Sequence, residues 1–147
     1  MRAIILDNIR SLHNVGAIFR SADGAGWDKI FLCGYTGCPP DRRIEKVSLG
    51  AEKTVKWESC ENITDLVTRL KKDGFFIIAL ETGKNSADIF QYKNNAKKVA
   101  LIVGNEVDGI NSTVLDLADV RTQIPMRGTK ESLNVSVATG IALYALR

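Results

Sequence analysis

This chain of 147 residues carries three polar segments whose residue types could bind a ligand and assist a group transfer. In the first, Asn14 and Arg20 stand six residues apart at the start of an apolar helical pattern. An amide can orient a hydroxyl, and a guanidinium can bind a phosphate through two parallel hydrogen bonds. Alone, Asn14 could equally be the N-cap of this helix, and Arg20 an ordinary surface cation. Gly16 shares a helix face with Arg20 and removes side-chain bulk beside its guanidinium.

The second segment, residues 104–110, directly follows the most apolar stretch of the chain. Gly104 would let a ligand approach the backbone closely, Gly109 permits conformations closed to other residues, and Glu106 supplies a carboxylate between them. The segment is not a dinucleotide-binding fingerprint, because no GxGxxG pattern follows the first predicted strand. It indicates a ligand-binding turn at the end of a strand.

The third segment, residues 124–138, leads through a polar turn into an apolar helix that is expected to begin near Leu133. The free backbone N–H groups at the start of a helix suit the polar groups of a nucleotide-like ligand. Ser132 is a candidate contact for such a ligand and equally a candidate N-cap.

Short apolar runs alternate with helical patterns along the chain, and these predict the strands and helices that must position the three segments. Such alternation indicates an α/β fold with a parallel sheet and helices on both faces. Strands are predicted at 3–6, 30–33, 75–80, 99–103 and 120–126, with a further candidate at 55–57, and helices at 15–25, 63–70 and 134–147. Residues 34–43 are expected to form a long loop. In such sheets ligands bind outside the carboxyl ends of the strands, which is where the three segments fall.

The composition fits one globular domain over residues 1–147, with 45% hydrophobic and 25% charged residues and no interdomain linker. The apolar run at the N-terminus is too short for a secretory signal or a membrane span, so a cytoplasmic location is expected. Three cysteines and the single His13 lack metal-ligand spacing, so no metal is expected. The net charge of +3 permits a polyanionic partner without identifying one.

In order and spacing, the three segments resemble the three motifs of the SpoU (TrmH-like) RNA 2′-O-ribose methyltransferases, a branch of the SPOUT superfamily. The resemblance covers nearly the whole chain, and residues 48–53 also look like a stretch that these enzymes carry between the first two motifs. The matching positions are Asn14 and Arg20 for the first motif, Gly104, Glu106 and Gly109 for the second, and Ser132, Leu133, Asn134 and Val135 for the third.

This resemblance implies a Rossmann-like SPOUT domain with a deep trefoil knot in its C-terminal part. It also implies that S-adenosylmethionine binds in the knot, largely through backbone contacts. The positions that would contact this cofactor are Leu80, Thr82, Gly104, Glu106, Gly109, Ile124, Met126, Ser132 and Leu133. The resemblance further implies a homodimer in which Arg20 of one subunit completes the site of the other, so that Arg20 acts in trans.

For the chemistry, our hypothesis gives the polar side chains separate tasks. Methyl transfer from a sulfonium is an in-line displacement, so positioning alone can contribute roughly 7–11 kcal/mol. Arg20 would grip the phosphate beside the acceptor and polarise its 2′-hydroxyl, while Asn14, Ser132 and Asn134 hold that hydroxyl in line. Glu106 would orient Arg20 or the cofactor loop. The general base stays open, because a guanidinium is normally always protonated.

Two alternatives stay open at this point. One is a SPOUT methyltransferase that modifies a base nitrogen, and the other is a non-catalytic RNA-binding relative. Transfer RNA is expected as the substrate, ahead of ribosomal RNA. No separate RNA-binding extension is expected, because the first motif begins within about fifteen residues of Met1.

Overall fold

The computed structural model describes residues 1–146, and within them a single sheet has seven strands. The strands are β1 (Arg2–Asp7), β2 (Lys29–Cys33), β3 (Lys56–Cys60), β4 (Phe76–Leu80), β5 (Ala87–Asp88), β6 (Val99–Val103) and β7 (Val120–Gln123). They lie in the order β3-β2-β1-β6-β4-β7-β5, and every neighbouring pair is parallel. The predicted parallel α/β sheet is therefore confirmed.

Within residues 1–146 there are six helices, of which five lie between strands and the sixth follows β7. They are α1 (Leu12–Ala25), α2 (Arg42–Ser48), α3 (Ala51–Thr54), α4 (Ile63–Lys72), α5 (Ser112–Leu117) and α6 (Val135–Ala145). None of them is long and apolar enough to cross a bilayer.

Several predicted boundaries were wrong. The last strand ends at Gln123 rather than at 126, because the residues that follow it turn away into the polar segment. The loop expected at 34–43 is shorter than predicted, because α2 begins at Arg42 with Asp41 as its N-cap. The last helix begins at Val135 rather than near Leu133, and its predicted end at Arg147 lies outside the described residues.

The sheet is buried on both faces because alternate side chains of each strand enter two different cores. Ile4 and Leu6 of β1 pack on the face covered by α1 and α6, whereas Ile5 between them packs on the face covered by α4 and α5. Trp27, just after α1, donates its indole N–H to the carbonyl oxygen of Leu143 at 3.0 Å. This bond fixes α6 against the end of α1.

The strand order places a switch point between β1 and β6. From β1 the chain passes through α1 to β2, towards one edge of the sheet. From β6 it passes through α5 to β7, towards the opposite edge. Connections that diverge in this way leave a crevice at the carboxyl ends of the two strands. The ends of β1 and β6, after which the first and second polar segments follow, are therefore neighbours. The trefoil knot implied by the resemblance stays a prediction.

Candidate active site

A cavity of about 530 Å³ opens at the carboxyl ends of β4, β6 and β7. This volume lies within the range of small-molecule sites in proteins, roughly 300–1,000 Å³. The cavity lining includes all nine positions that the sequence predicted to contact a cofactor: Leu80, Thr82, Gly104, Glu106, Gly109, Ile124, Met126, Ser132 and Leu133. The fold thus gathers in one place residues that lie up to 53 positions apart in the chain.

Gly104 is required by the backbone of its own loop. A Cβ at this position would lie 2.6 Å from the backbone nitrogen of Ile110, which is closer than real side chains approach. Gly109 has a φ of 67°, and its strand-like bridge to Asn105 closes the loop. The sequence predicted that Gly104 lets a ligand approach the backbone. In the structure, the absence of a side chain at Gly104 first allows the loop 104–110 to close on itself.

Glu81, which sequence reasoning missed, holds this loop from the neighbouring strand end. Its carboxylate accepts hydrogen bonds from the backbone nitrogens of Ile110 at 2.8 Å and Thr82 at 3.1 Å. It therefore connects the ends of β4 and β6. An acid directly after an apolar strand was the available signal, but such acids are common and the fold was needed to identify its partners.

A chain of side-chain hydrogen bonds joins the three polar segments. Asn14 donates from Nδ2 to Glu106 at 3.1 Å, and its Oδ1 accepts from Nδ2 of Asn134 at 3.3 Å. Asn14 is only 6% exposed, so both of its contacts form in a largely buried setting. Glu106, Asn14 and Asn134 therefore form one connected polar network, although Asn14 itself does not line the cavity.

The carboxylate of Glu106 serves as the anchor of this network. Besides Asn14, it accepts hydrogen bonds from the backbone nitrogens of Arg10 at 3.0 Å and Ser11 at 3.1 Å. Burial by itself would raise the pKa of Glu106, but the donors from Arg10, Asn14 and Ser11 outweigh it and hold that pKa below its ordinary value of 4.5. Glu106 is thus an ionised group that fixes the start of α1.

Both helix starts in this region are capped by residues other than those considered from the sequence. Ser11 is the N-cap of α1, and its hydroxyl accepts from the backbone nitrogen of Asn14 at 3.2 Å. Asn134 is the N-cap of α6, with Oδ1 accepting from the backbone nitrogens of Ser136 and Val137. The N-cap interpretations of Asn14 and of Ser132 are therefore wrong, which leaves the Ser132 side chain exposed at the cavity wall.

Arg20 lies in a different depression from the cavity. This basic depression is lined by Arg10, Leu12, His13, Arg20, Arg43, Lys46, Val47 and Leu49. Within residues 1–146 the exposed guanidinium of Arg20 makes no hydrogen bond or ion pair, so Glu106 does not orient it within one chain. Gly16 does not make room for Arg20 either, because it packs against the backbone of Ile44 in α2.

Comparison with known proteins identifies the family of this chain. A sequence profile described as the SpoU rRNA Methylase family matches residues 1–144. The chain belongs to this family.

Two curated relatives within the SpoU family show what its members modify. A tRNA (guanosine(18)-2′-O)-methyltransferase from Aquifex aeolicus is 36% identical over 142 residues, which cover 96% of this chain and 66% of the relative. A 23S rRNA (guanosine-2′-O-)-methyltransferase, RlmB, from Vibrio vulnificus is 34% identical over 141 residues, which cover 96% of this chain and 56% of the relative. The chain thus spans between about half and two thirds of the length of these relatives.

Solved structures of RNA-modifying enzymes share the fold described above. The TrmH/SpoU tRNA-modifying enzyme of A. aeolicus superposes with a TM-score of 0.88 at 33% identity, over 98% of this chain and 72% of the other. An AdoMet-bound rRNA methyltransferase from Sinorhizobium meliloti gives 0.90 at 28% identity, over 98% and 54% of the two chains.

The described part of this SpoU-family chain offers no evident place for a metal ion. Residues 1–146 contain no group of three or more histidine, cysteine, aspartate or glutamate side chains close enough to share one. The cysteines at 33, 38 and 60 are all free thiols.

Proposed function

We propose that this protein transfers the methyl group of S-adenosylmethionine to a ribose 2′-hydroxyl of a structured RNA, with transfer RNA as the preferred substrate. The observation that carries the proposal is the single cavity that all nine predicted cofactor positions line, joined through Glu106 to Asn14 and Asn134. The activities named for the tRNA and rRNA relatives support the reaction class, and the SpoU family membership supports the cofactor.

The cavity lining suits S-adenosylmethionine in shape and charge. Leu80, Ile124, Met126 and Leu133 offer apolar surface for an adenine ring, and the loop 104–110 offers backbone groups beside them. Glu106 lines the same cavity, and its negative charge would offset a positive charge on sulfur. When bound, the cofactor supplies an electrophilic methyl group on a sulfonium.

The acceptor hydroxyl would be held by polar side chains of the cavity wall and of the hydrogen-bond network joined to it. Asn14 is fixed by its bonds to Glu106 and Asn134, which leaves one N–H and one lone pair of its amide for a substrate. Ser132 keeps an exposed hydroxyl at the cavity wall, because Asn134 has taken over the capping of α6. These groups would aim the 2′-oxygen at the methyl group and exclude competing orientations.

Arg20 would reach the reaction from a second subunit. It lies outside the cavity of its own chain, in the basic depression, with no partner for its guanidinium within residues 1–146. The surface shared by α1 and α6 offers a place for a second copy, because Val137 is 52% exposed in a depression that residues of both helices line. We therefore propose a homodimer in which Arg20 grips the phosphate next to the acceptor in the partner's site.

The basic depression would bind the RNA backbone around that phosphate. Arg10, Arg20, Arg43 and Lys46 line it, and a bidentate ion pair with Asp41 holds the guanidinium of Arg43. Phosphate contacts release condensed counterions, so RNA affinity should fall steeply as salt concentration rises. We further propose that residues 1–147 act as one methyltransferase domain in the cytoplasm, since one sheet organises the whole described chain.

The direct test incubates the protein with labelled S-adenosylmethionine and bulk tRNA or rRNA, followed by nucleoside mass spectrometry. We expect a 2′-O-methylated nucleoside, mainly from the tRNA fraction. A methyl group on a base nitrogen would assign the protein to the other SPOUT reaction. RNA binding without cofactor binding in calorimetry would make it a non-catalytic relative.

The action of Arg20 in trans can be tested by mixing two inactive variants during refolding. Arg20→Ala keeps an intact cavity, and Asn134→Ala keeps an intact Arg20 but loses the network at the cavity rim. Half of randomly reassembled dimers are mixed and each has one complete site, so activity should return to about a quarter of wild type. No recovery would contradict action in trans.

A further inference from the structure

Tyr35 is an exposed aromatic ring that the fold holds at both ends. Its side chain is 61% exposed, yet its backbone nitrogen donates to Oδ1 of Asn8 at 3.0 Å and its hydroxyl accepts from Nδ2 of Asn105 at 2.6 Å. Because both ends are fixed, the ring has little conformational freedom left to lose on binding. Such rings contribute contact area at a low cost in entropy.

Asn105 connects this ring to the candidate active site. Its Nδ2 also donates to the backbone oxygen of Asn8 at 2.7 Å, and its Oδ1 accepts from the backbone nitrogens of Val107 and Asp108. The amide thereby satisfies both of its N–H groups and both lone pairs within the chain. Tyr35 is thus fixed beside the loop 104–110, which forms one wall of the cavity.

Asn8, which binds the backbone of Tyr35, lies close in the chain to the basic depression. Arg10, two residues after Asn8, lines the basic depression, and its backbone binds Glu106. An aromatic face next to cations that can bind phosphates is the combination by which proteins hold unpaired nucleotides. The hydrogen bond to Asn105 explains why residue 35 carries a hydroxyl, but it does not explain why an aromatic ring is exposed there.

We propose that Tyr35 is a stacking platform for an unpaired nucleobase of the RNA, at or next to the nucleotide whose ribose enters the active site. This inference rests on the proposed function, because it names how the same site recognises its substrate. A base stacked on Tyr35 would lie beside the loop 104–110, so that its ribose could enter the cavity that this loop lines. The contact would select unpaired bases without choosing among the four, since every base has a π-face.

The test uses two single-stranded heptaribonucleotides, one with a central 2-aminopurine and one with an abasic ribose at that position. Wild-type protein should bind the 2-aminopurine strand about 5- to 160-fold more tightly than the abasic strand, the range that corresponds to single base–aromatic contacts. Binding should also quench the 2-aminopurine fluorescence. Tyr35→Leu should abolish both the preference and the quenching, whereas Tyr35→Trp should retain both.

Phe90→Leu is the matched control, because Phe90 is also an exposed aromatic residue but follows the edge strand β5, whereas Tyr35 follows β2 near the other edge of the sheet. It should bind both strands as wild type does. The proposal is overturned if Tyr35→Leu keeps the preference for 2-aminopurine. It is equally overturned if Tyr35→Leu converts a dimer to a monomer in sedimentation, since the ring would then be covered by a second copy.

Failure of this inference can be told apart from failure of the proposed function by measuring methyl transfer to bulk tRNA with the same protein. Transfer by wild type with an unchanged KM for Tyr35→Leu would refute stacking alone. Ring-dependent binding of the 2-aminopurine strand without any methyl transfer would refute the proposed reaction and leave stacking in place.

Discussion

Replacing Glu106 by glutamine removes the charge that holds the first and second polar segments together, while the side chain keeps its length. In the wild-type chain Oε2 of Glu106 accepts from Arg10, and Oε1 accepts from Ser11 and Asn14. A glutamine has a single acceptor oxygen, so its NH₂ group must face at least one of these N–H donors. The variant therefore loses at least one hydrogen bond and leaves a donor facing a donor.

The expected magnitude follows from these contacts. Hydrogen bonds to a charged group contribute about 1.5–3 kcal/mol each when buried, but Glu106 is substantially exposed and water competes for its oxygens. We expect Glu106→Gln to lower the free energy of unfolding by about 1–2 kcal/mol at pH 7. Methyl transfer should fall further, roughly 10- to 100-fold, because Asn14 loses the acceptor that orients its amide.

Urea unfolding followed by tryptophan fluorescence, repeated across acidic pH, measures this effect. The pKa of Glu106 is lowered in the folded state, so its contribution is complete above its ordinary value of 4.5 and is lost as pH falls through the lower folded value. The stability gap between wild type and Glu106→Gln should therefore close at low pH. Glu61→Gln, at an exposed position outside the site, is the control. An unchanged unfolding free energy at pH 7, or a gap that persists below the folded pKa, would refute the reasoning.

Three further variants separate the roles of other positions. Arg20→Ala should abolish methylation and leave the affinity for S-adenosylmethionine in calorimetry almost unchanged, and turnover above a tenth of wild type would exclude its proposed role. Gly104→Ala should weaken cofactor binding at least about tenfold, or about 1.4 kcal/mol, because its Cβ meets the backbone of Ile110, and calorimetry with an unchanged Kd would contradict this. Gly16→Ala should cost about 1–3 kcal/mol of stability in urea unfolding, because its Cβ would lie 2.6 Å from the backbone oxygen of Ile44, while the Kd for the cofactor stays unchanged.

The sequence allowed the fold class and the location of the site at the strand ends to be predicted, because both depend on strong, local signals. Strands that are buried on both faces have continuous apolar sequences, such as the one that forms β6. These strands can be recognised without knowing which strands lie beside them in the sheet. The carboxyl ends of parallel strands meet at one edge, so polar segments after such runs converge. The particular set of cofactor positions came from the family resemblance rather than from these signals.

The details that were missed depend on contacts between distant parts of the chain. Glu81 acquires its role only when the end of β4 comes beside Ile110, 29 residues away. Ser11 rather than Asn14 caps α1, and the amide of Asn14 instead binds Glu106, 92 residues away. Short elements such as α3 and β5 are set by their packing and pairing, and their sequences carry too few periods to be recognised.

The identity of residue 14 is constrained by the folded chain before any substrate is considered. Its side chain must donate to the carboxylate of Glu106 and accept from the amide of Asn134 at the same time, and an amide of this length does both. An aspartate would set a second negative charge against Glu106 in a largely buried position, where like charges repel strongly. Each of the three polar segments thus orients a side chain of another. The start of α1, the loop after β6 and the start of α6 must therefore assemble together for any one of them to be in place.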